Sequence, residues 1–243
     1  MSGDGALLEL RGVHTHIGRY HILHGVDLAL ARGRLTMLLG RNGAGKTTTL
    51  RTIMGLWRRS AGEISFDGRP IGALATPDIA RLGIAYVPES MGIFSQLTVR
   101  ENMLLATGPA GFDEARLDEV LVLVPALREK WHNAAGSLSG GQKQMLAISR
   151  AIIEPRRLLV VDEPTKGLAP AIIQQLIDAF LRLKRTETTI LLVEQNFHMA
   201  RSVGDDVAVM DDGRIVHRGT MAALAADESL QQHLLGLALA SHQ

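Results

Sequence analysis

Cysteine is absent from the 243-residue sequence, and aromatic residues make up only 4% of it. Without cysteine the chain can form neither a disulfide framework nor a thiolate metal site, which suits a reducing compartment such as the cytosol. No apolar run approaches the roughly 18–20 residues needed to cross a bilayer, and the first five residues lack the basic and apolar regions of a signal peptide. We therefore expect that any role at a membrane depends on partner subunits.

A strong excess of either charge is also absent. Lys and Arg number 26 against 25 Asp and Glu, and the formal net charge is +1. Such a balance is unlike that of a polyanion-binding protein, so we expect no nucleic-acid partner. The hydrophobic share of 46% and the charged share of 21% are those of an ordinary globular protein. No internal repeat or low-complexity tract divides the chain.

The clearest motif is a phosphate-binding loop at residues 40–47, which read GRNGAGKT and fit the pattern G-x-x-x-x-G-K-[ST]. Glycine allows the backbone to wrap closely around phosphate and to present N–H groups to it. Lys46 is predicted to reach the β- and γ-phosphates of a nucleotide, and the Thr47 hydroxyl to bind Mg²⁺. The predicted nucleotide-binding residues of this segment are Gly40, Asn42, Gly43, Ala44, Gly45, Lys46, Thr47 and Thr48.

A pair of carboxylates follows an apolar strand later in the chain. Residues 158–161 read LLVV and are followed by Asp162 and Glu163. A strand of this kind delivers Asp162 to the edge of the sheet beside the phosphate loop, where it is predicted to hold Mg²⁺ through water. Glu163 points to the other side of the chain and is predicted to polarise the water that attacks the nucleotide.

Alternation of strands and helices indicates the fold class, because it is typical of a mostly parallel sheet covered by helices. The predicted core strands lie at residues 35–39, 84–87, 158–161 and 189–193. Alternating strands in the first 70 residues predict an antiparallel β subdomain. We predict a single α/β domain over residues 1–243, with a P-loop NTPase core at about 1–89 and 155–243. A helical subdomain at about 90–154, which contains the segment LSGGQ, is predicted to be inserted in it.

The ordered set of phosphate loop, LSGGQ segment (138–142) and carboxylate pair resembles the nucleotide-binding domain of ATP-binding cassette (ABC) transporters along essentially the whole chain. The resemblance implies a head-to-tail dimer in which Ser139, Gly140 and Gly141 contact the γ-phosphate of the nucleotide held by the partner subunit. It also implies that Tyr20 stacks on the adenine ring.

Three positions differ from the general pattern of that family. Glu89, in YVPE, stands where the family usually has Gln, and Gln195, in VEQN, stands where it usually has His. The segment 165–170, TKGLAP, lacks the usual Asp. Together these features resemble one branch, the second of the two non-identical ATPases of branched-chain amino acid importers. Residues 90–92 read SMG where this branch usually has Gly-Arg-Arg, so the transported solute stays open.

For the chemistry, the resemblance implies that Glu89 carries its charge near Mg²⁺ and that Gln195 acts in catalysis at the switch position. Glutamine can hydrogen-bond a phosphate or water but cannot carry a proton as histidine can. Both differences leave open a slower turnover at this site.

For the assembly, the resemblance implies ATP and Mg²⁺ as cofactors and a peripheral position on the cytoplasmic face of the inner membrane. The implied partners are two membrane permease subunits, a second ABC ATPase subunit in a heterodimer rather than a homodimer, and indirectly a solute-binding protein. The permease is expected to contact the groove around residues 89–102. There Met91, Ile93, Phe94 and Leu97 form an apolar cluster that is either this interface or subdomain core.

Two other functions stay open. A non-transport ABC ATPase acting on ribosomes or DNA is disfavoured because the chain has one cassette, with only about 90 residues between Lys46 and Ser139. A regulatory subunit with little turnover is compatible with Gln195 and Glu89, but the intact Glu163 argues against it. Four N-terminal histidines lack neighbouring cysteines or paired carboxylates, so they predict no metal site.

Overall fold

The computed structural model describes residues 5–109 and 111–236, which form two sheets and a set of mostly short helices. The strands are Ala6–Ile17 (β1), Tyr20–Ala31 (β2), Leu35–Leu39 (β3), Arg59–Phe66 (β4), Arg69–Pro70 (β5), Ile84–Val87 (β6), Leu158–Asp162 (β7), Thr189–Val193 (β8), Asp206–Asp211 (β9) and Arg214–Thr220 (β10). The helices are Lys46–Ile53 (α1), Thr76–Arg81 (α2), Val99–Leu104 (α3), Glu114–Leu123 (α4), Pro125–Glu129 (α5), Gly140–Ile152 (α6), Pro170–Lys184 (α7), Phe197–Val203 (α8), Met221–Ala226 (α9) and Glu228–Leu235 (α10). A 3₁₀ turn covers Ala135–Ser137.

The smaller sheet is antiparallel and has the strand order β2-β1-β4-β5. Its strands alternate between the two faces: Leu28 and Leu30 are buried, whereas Asp27 and Ala29 are exposed. The buried face packs on α1 through residues such as Leu50. The predicted antiparallel β subdomain is therefore confirmed, and it lies directly against the helix that follows the phosphate loop.

The larger sheet has the order β10-β9-β3-β8-β7-β6. In this sheet the adjacent strands from β9 to β6 pair in parallel, whereas β10 pairs antiparallel with β9. Strands β3, β7 and β8 are buried at every position, which explains why their sequences are continuously apolar rather than alternating. Because the strands are parallel, their carboxyl ends meet at one edge of the sheet.

Helices α3 to α6 lie between β6 and β7 in the chain and pack on the larger sheet. Their apolar side chains, among them Val99, Val120 and Leu146, form one hydrophobic cluster with Leu39 and Val161 of the sheet. The fold class predicted from the sequence is thus confirmed. The division of the chain at about residues 90 and 154 stays a prediction.

Sequence reasoning located β3, β6 and β8 at their observed bounds but missed two short helices and part of a strand. Helices α2 and α8 have only six and seven residues, too few turns for a helical period to show. The apolar alternation of the sequence predicts the second strand only over Val26–Leu30, whereas β2 begins at Tyr20, six residues earlier. Irregular register between β1 and β2, for example between Thr15 and His16, interrupts the alternation there.

None of the helices found in residues 5–109 and 111–236 is both long enough and apolar enough to cross a bilayer.

Candidate nucleotide-binding site

Four loops meet at the carboxyl edge of the larger sheet, and they carry the predicted site residues. The loop after β3 is the phosphate loop, and the loop after β7 carries Glu163. The loop after β8 carries Gln195, and the loop after β6 carries Glu89. A cavity of about 300 Å³ lies among the phosphate loop and the loops after β6 and β7. Its lining residues are Ile22, Asn42, Gly43, Gly45, Lys46, Thr47, Thr48, Glu89, Glu163 and Lys166.

Glycine is required where the phosphate loop passes other main chain. Gly40 has a φ of 150°, and a Cβ atom there would lie 2.2 Å from the carbonyl oxygen of Met210. Gly45 has a φ of 103° and immediately precedes α1. The loop therefore directs the start of α1 at the cavity, which is the arrangement that binds phosphate through backbone N–H groups.

Lys46 is buried at the start of α1, with 4% of its surface exposed. Its Nζ atom donates hydrogen bonds to the carbonyl oxygens of Gly40, at 2.8 Å, and of Arg41, at 3.1 Å. It also lies 3.4 Å from Oε1 of Glu163. The ammonium group is thus held beside the cavity and next to the predicted catalytic carboxylate.

Thr47 and Asp162 lie side by side, as a Mg²⁺ site requires. The Thr47 hydroxyl donates to Oδ1 of Asp162 at 3.1 Å, and the Tyr86 hydroxyl donates to Oδ2 at 3.3 Å. Burial raises the pKa of Asp162, and the hydrogen bond from Thr47 partly opposes this rise. Burial, together with the Asp162 charge, raises the pKa of Tyr86 to about 12. A hydroxyl and a carboxylate that converge beside a phosphate loop are a donor set that fits Mg²⁺.

Glu163 and Gln195 contact each other directly. Nε2 of Gln195 donates to Oε1 of Glu163 and to Oδ1 of Asn42, both at 2.7 Å. Glu163 has a φ of 45°, uncommon for a residue with a side chain, and its N–H donates to the carbonyl oxygen of Val193 at 3.0 Å. The fold therefore turns the Glu163 side chain toward the phosphate loop at some conformational cost.

Sequence reasoning missed Glu194, which organises two of these loops. It is 2% exposed and accepts four hydrogen bonds, from the N–H and hydroxyl of Thr165 and from the N–H groups of Gln195 and Asn196. Burial raises its pKa, although the hydrogen bonds from Thr165 oppose the rise. Its position directly after an apolar strand, like that of Asp162, is the signal that could have identified it.

Lys166 was also missed. Its ammonium group lies 2.6 Å from Oε1 of Glu89 and 3.9 Å from Oε2 of Glu163. The hydrogen bond to Glu89 is the main cause that raises the pKa of Lys166. The charge expected from Glu89 is therefore present at the site, but it is paired with a cation.

Four predicted site residues do not line this cavity and lie on other elements, β2 and α6 with its N-terminal cap. Tyr20 is at the start of β2, directly across from Ile17 of β1, and is 61% exposed with the Arg19 guanidinium over its ring. Ser139, Gly140 and Gly141 lie at the start of α6 in the helical insertion. Both sets of roles stay predictions.

The segment at the start of α6 has structural reasons for its residue types. The Ser139 hydroxyl accepts a hydrogen bond from the N–H of Gln142, and the Gln142 side chain accepts one from the N–H of Ser139, which forms a capping box. A Cβ atom on Gly141 would lie 2.3 Å from Cγ2 of Ile172 on α7. The motif therefore also sets the contact between two helices.

The N-terminal histidines gather on β1 and β2. The ring centroid of His21 lies 4.1 Å from that of His16 and 4.0 Å from that of His24. Over residues 5–109 and 111–236, no three His, Asp or Glu side chains are grouped so that they could share a metal ion.

Comparison with known proteins gives consistent matches. The family model described as ABC transporter matches residues 23–166. The high-affinity branched-chain amino acid transport ATP-binding protein BraG of Pseudomonas aeruginosa is 39% identical over 232 residues, which cover 95% of this chain and 100% of that protein. The probable branched-chain amino acid transport ATP-binding protein LivF of Archaeoglobus fulgidus is 35% identical and covers 94% of this chain and 99% of its own length.

Solved structures share the fold. A nucleotide-free ATP-binding cassette from an ABC transporter superposes with a TM-score of 0.82 at 23% identity, over 96% of this chain and 100% of the other. An ATP-binding subunit of an ABC transporter superposes with a TM-score of 0.78 at 30% identity, over 95% of this chain and 96% of the other.

Proposed function

Because the chain belongs to the ABC transporter ATP-binding family, whose members hydrolyse ATP to drive transport, we propose that it is the energy-coupling ATPase of a multi-subunit importer. The proposed solutes are branched-chain amino acids or related small polar compounds, as the names of the relatives BraG and LivF suggest. The observation that carries the proposed chemistry is the convergence of Lys46, the Thr47–Asp162 pair and the Glu163–Gln195 pair at one sheet edge.

The proposed nucleotide site uses the phosphate loop for the triphosphate of ATP. The residues from Gly40 to Thr48 surround the phosphates, with the N–H groups at the start of α1 and the Lys46 ammonium opposing their charge. Thr47 and Asp162 would hold Mg²⁺, and Glu89 would carry its charge near it. When bound, Mg²⁺ supplies further positive charge for the phosphates.

In the proposed reaction, Glu163 accepts the hydrogen bond of the attacking water and polarises it. Gln195 already donates one amide N–H to Glu163 at 2.7 Å, so it can fix the orientation of that carboxylate. Its second N–H, which donates to Asn42, would have to leave Asn42 to hydrogen-bond the γ-phosphate. Since an amide does not titrate, Gln195 takes no proton in this scheme, and the carboxylate alone acts as the base.

A second ATPase subunit is proposed to complete the site. Ser139, Gly140 and Gly141 lie on the helical insertion and do not line the cavity that the phosphate loop forms. In a head-to-tail dimer they would contact the γ-phosphate of the nucleotide on the other subunit, and Tyr20 would stack on adenine in its own subunit. We propose a heterodimer.

Two permease subunits are proposed to dock at the groove between the core and the helical insertion, on the cytoplasmic face of the inner membrane, with a solute-binding protein as indirect partner. A cavity of about 700 Å³ lies next to residues 89–102 in the chain: Tyr86 and Pro88, which precede residue 89, line it together with Arg150 of α6. Phe94, 50% exposed, packs under the Arg150 guanidinium at 5.1 Å. Met91 and Ile93 pack against the hydrophobic core, so the exposed part of the apolar cluster supports an interface and the rest serves the fold.

The experiment that tests this function is affinity purification of tagged Glu163→Gln from its native membranes with Mg-ATP. Because this variant is expected to bind ATP without hydrolysing it, partners should stay attached. Two polytopic permeases and a second cassette ATPase are the expected recoveries, and Lys46→Ala is the matched control that should release them. Recovery of ribosomal or DNA-repair proteins with no permease would overturn the proposal.

A regulatory subunit with little turnover is the second candidate, favoured by Gln195 at the switch position. Basal ATPase activity of the wild type beside Glu163→Gln separates the two. A wild-type rate well above that of the variant supports an active ATPase site, whereas equal rates would show that Glu163 is not the base.

A further inference from the structure

The pair formed by Lys166 and Glu89 joins two loops of the nucleotide site. Lys166 follows β7 and Glu89 follows β6, so their 2.6 Å contact connects loops that are 77 residues apart in the chain. We propose that Lys166 is a positioning residue that neutralises Glu89 and thereby sets the affinity of the site for a nucleoside triphosphate. This inference rests on the proposed nucleotide site.

The charges around the cavity explain why this pair matters. Asp162 and Glu163 lie at the end of β7, and Glu89 adds a third carboxylate at the rim. Lys46 already lies within 3.4 Å of Glu163. A bound triphosphate brings more negative charge to the same place, so Glu89 without its lysine would repel it.

Hydrogen bonds fix the backbone of Lys166. Its N–H donates to the carbonyl oxygen of Glu163 at 3.2 Å, which closes a turn directly after the carboxylate. The preceding residue, Thr165, is bound through two hydrogen bonds to the buried Glu194. The side chain therefore starts from a fixed turn, and its ammonium group reaches across the cavity rim to Glu89.

The pair contributes to binding rather than to folding. The side chains of Lys166 and Glu89 are 59% and 44% exposed, and ion pairs this exposed stabilise a fold very little. The effect on nucleotide binding is larger than the effect on folding. A carboxylate without its lysine partner repels a polyphosphate, which carries several negative charges.

The test compares Lys166→Ala, Glu89→Gln and the double variant in binding the non-hydrolysable analogue AMP-PNP, with and without Mg²⁺, by calorimetry at low salt. Lys166→Ala should weaken binding by about 3- to 10-fold, a rise in Kd that added salt reduces. Without Mg²⁺, where the proposed nearness of Glu89 to the metal plays no part, the double variant should return to within about twofold of wild type, and Lys166→Arg should bind like wild type. Lys130→Ala, an exposed lysine on the helical insertion, is the matched control.

Kinetics give a second readout on the same proteins. Because Lys166 is proposed to act through the charge of Glu89, Lys166→Ala should raise KM for ATP while kcat stays within about twofold. A defect that Glu89→Gln does not relieve would overturn the inference in favour of direct contact between Lys166 and nucleotide. Unchanged affinity in Lys166→Ala would overturn it as well.

These outcomes separate the inference from the proposed function. A wild-type protein that binds AMP-PNP but recovers no permease would remove the transport assignment and leave the Lys166 result standing. A wild-type protein that binds no nucleotide would overturn the proposed site, and the inference with it.

Discussion

Gln195 makes the two contacts that its proposed role needs, one to Glu163 and one to Asn42 of the phosphate loop. Both involve the same amide nitrogen, so the side chain links the predicted base to the loop that would hold the phosphates. A histidine is the usual residue in the family that this chain resembles, but a single donated hydrogen bond suffices to orient a carboxylate. At the scale of the residue, orientation rather than proton transfer is the function that this geometry supports.

Gln195→Ala is therefore expected to lower kcat for ATP hydrolysis by about 10- to 100-fold, at or below the usual effect of removing one electrostatic donor. Nucleotide affinity should change little, because Lys46 and the phosphate loop stay in place. Steady-state ATPase assays and AMP-PNP binding check the two parts. Gln174→Ala, on the exposed side of α7, is the control, and a loss of affinity equal to the loss of kcat would contradict the proposed role.

Glu194 and Lys166 show why residue roles were only partly predictable. Glu194 is one residue from Gln195 in the sequence, yet its partner Thr165 lies 29 residues away. Lys166 was visible only as part of a loop that lacks a family aspartate, and its contact with Glu89 depends on two adjacent parallel strands. Such roles depend on which loops lie at the same edge of the sheet, and local sequence does not predict which loops those are.

At the scale of elements, α6 and α7 are in close contact at Gly141. A Cβ atom there would meet Ile172 at 2.3 Å, whereas a Cβ atom on Gly140 would lie 3.5 Å from Leu168, an ordinary contact. The two neighbouring glycines of one motif therefore have different structural requirements.

Gly141→Ala is expected to lower the free energy of unfolding by about 1–3 kcal/mol through overpacking against α7. Gly140→Ala should change it by less than about 0.5 kcal/mol, since the new methyl group has room. Urea denaturation of both variants measures the difference. Equal stability of the two variants would show that α6 and α7 separate without cost.

The contact of Asp205 with Lys184 joins the end of α7 to the larger sheet. Oδ1 of Asp205 lies 2.7 Å from the Lys184 ammonium, and Oδ2 accepts a hydrogen bond from the N–H of Leu35 at 2.9 Å. Burial by itself would raise the pKa of Asp205, but the Leu35 hydrogen bond and the Lys184 charge lower it overall. The stabilisation is thus present above the unfolded-state pKa and is lost as the pH falls through the lower, folded-state pKa.

Asp205→Asn should lower the free energy of unfolding by about 1 kcal/mol at pH 7. The difference from wild type should shrink below about pH 4, the range in which an unfolded aspartate gains its proton. Urea denaturation of both proteins between pH 7 and pH 3 gives the comparison. A difference that stays constant over this range would mean that the charge of Asp205 contributes nothing.

At the scale of the whole molecule, nucleotide binding should stabilise the fold, because the phosphate loop follows β3, which belongs to the same sheet as β7 and β8. Mg-ATP analogue at 100 times its Kd is expected to add about 2.7 kcal/mol, which corresponds to a rise in Tm of about 5–10 °C for a domain of this size. Thermal unfolding with AMP-PNP measures it. Chelating Mg²⁺ should reduce the rise, and Lys46→Ala should remove most of it; an undiminished rise in Lys46→Ala would contradict the proposed phosphate site.

The sequence by itself determined the family resemblance, the fold class and the residues of the phosphate loop and carboxylate pair. These are readable because each depends on local chemistry: glycines at close approaches, continuously apolar strands such as Leu35–Leu39, and Asp162 directly after such a strand. Short helices such as α2 were not readable because they have too few residues to show a period. The start of β2 was not readable because irregular register with β1 interrupts its alternation.

Only the tertiary structure decided which side chains of the site contact one another. The contacts of Gln195 with Asn42, of Thr165 with Glu194 and of Lys166 with Glu89 span 153, 29 and 77 residues. The strand order of the larger sheet brings these loops to one edge, and no local pattern encodes that order. The types of chemical group present at the site are therefore a property of the sequence, whereas their pairing is a property of the fold.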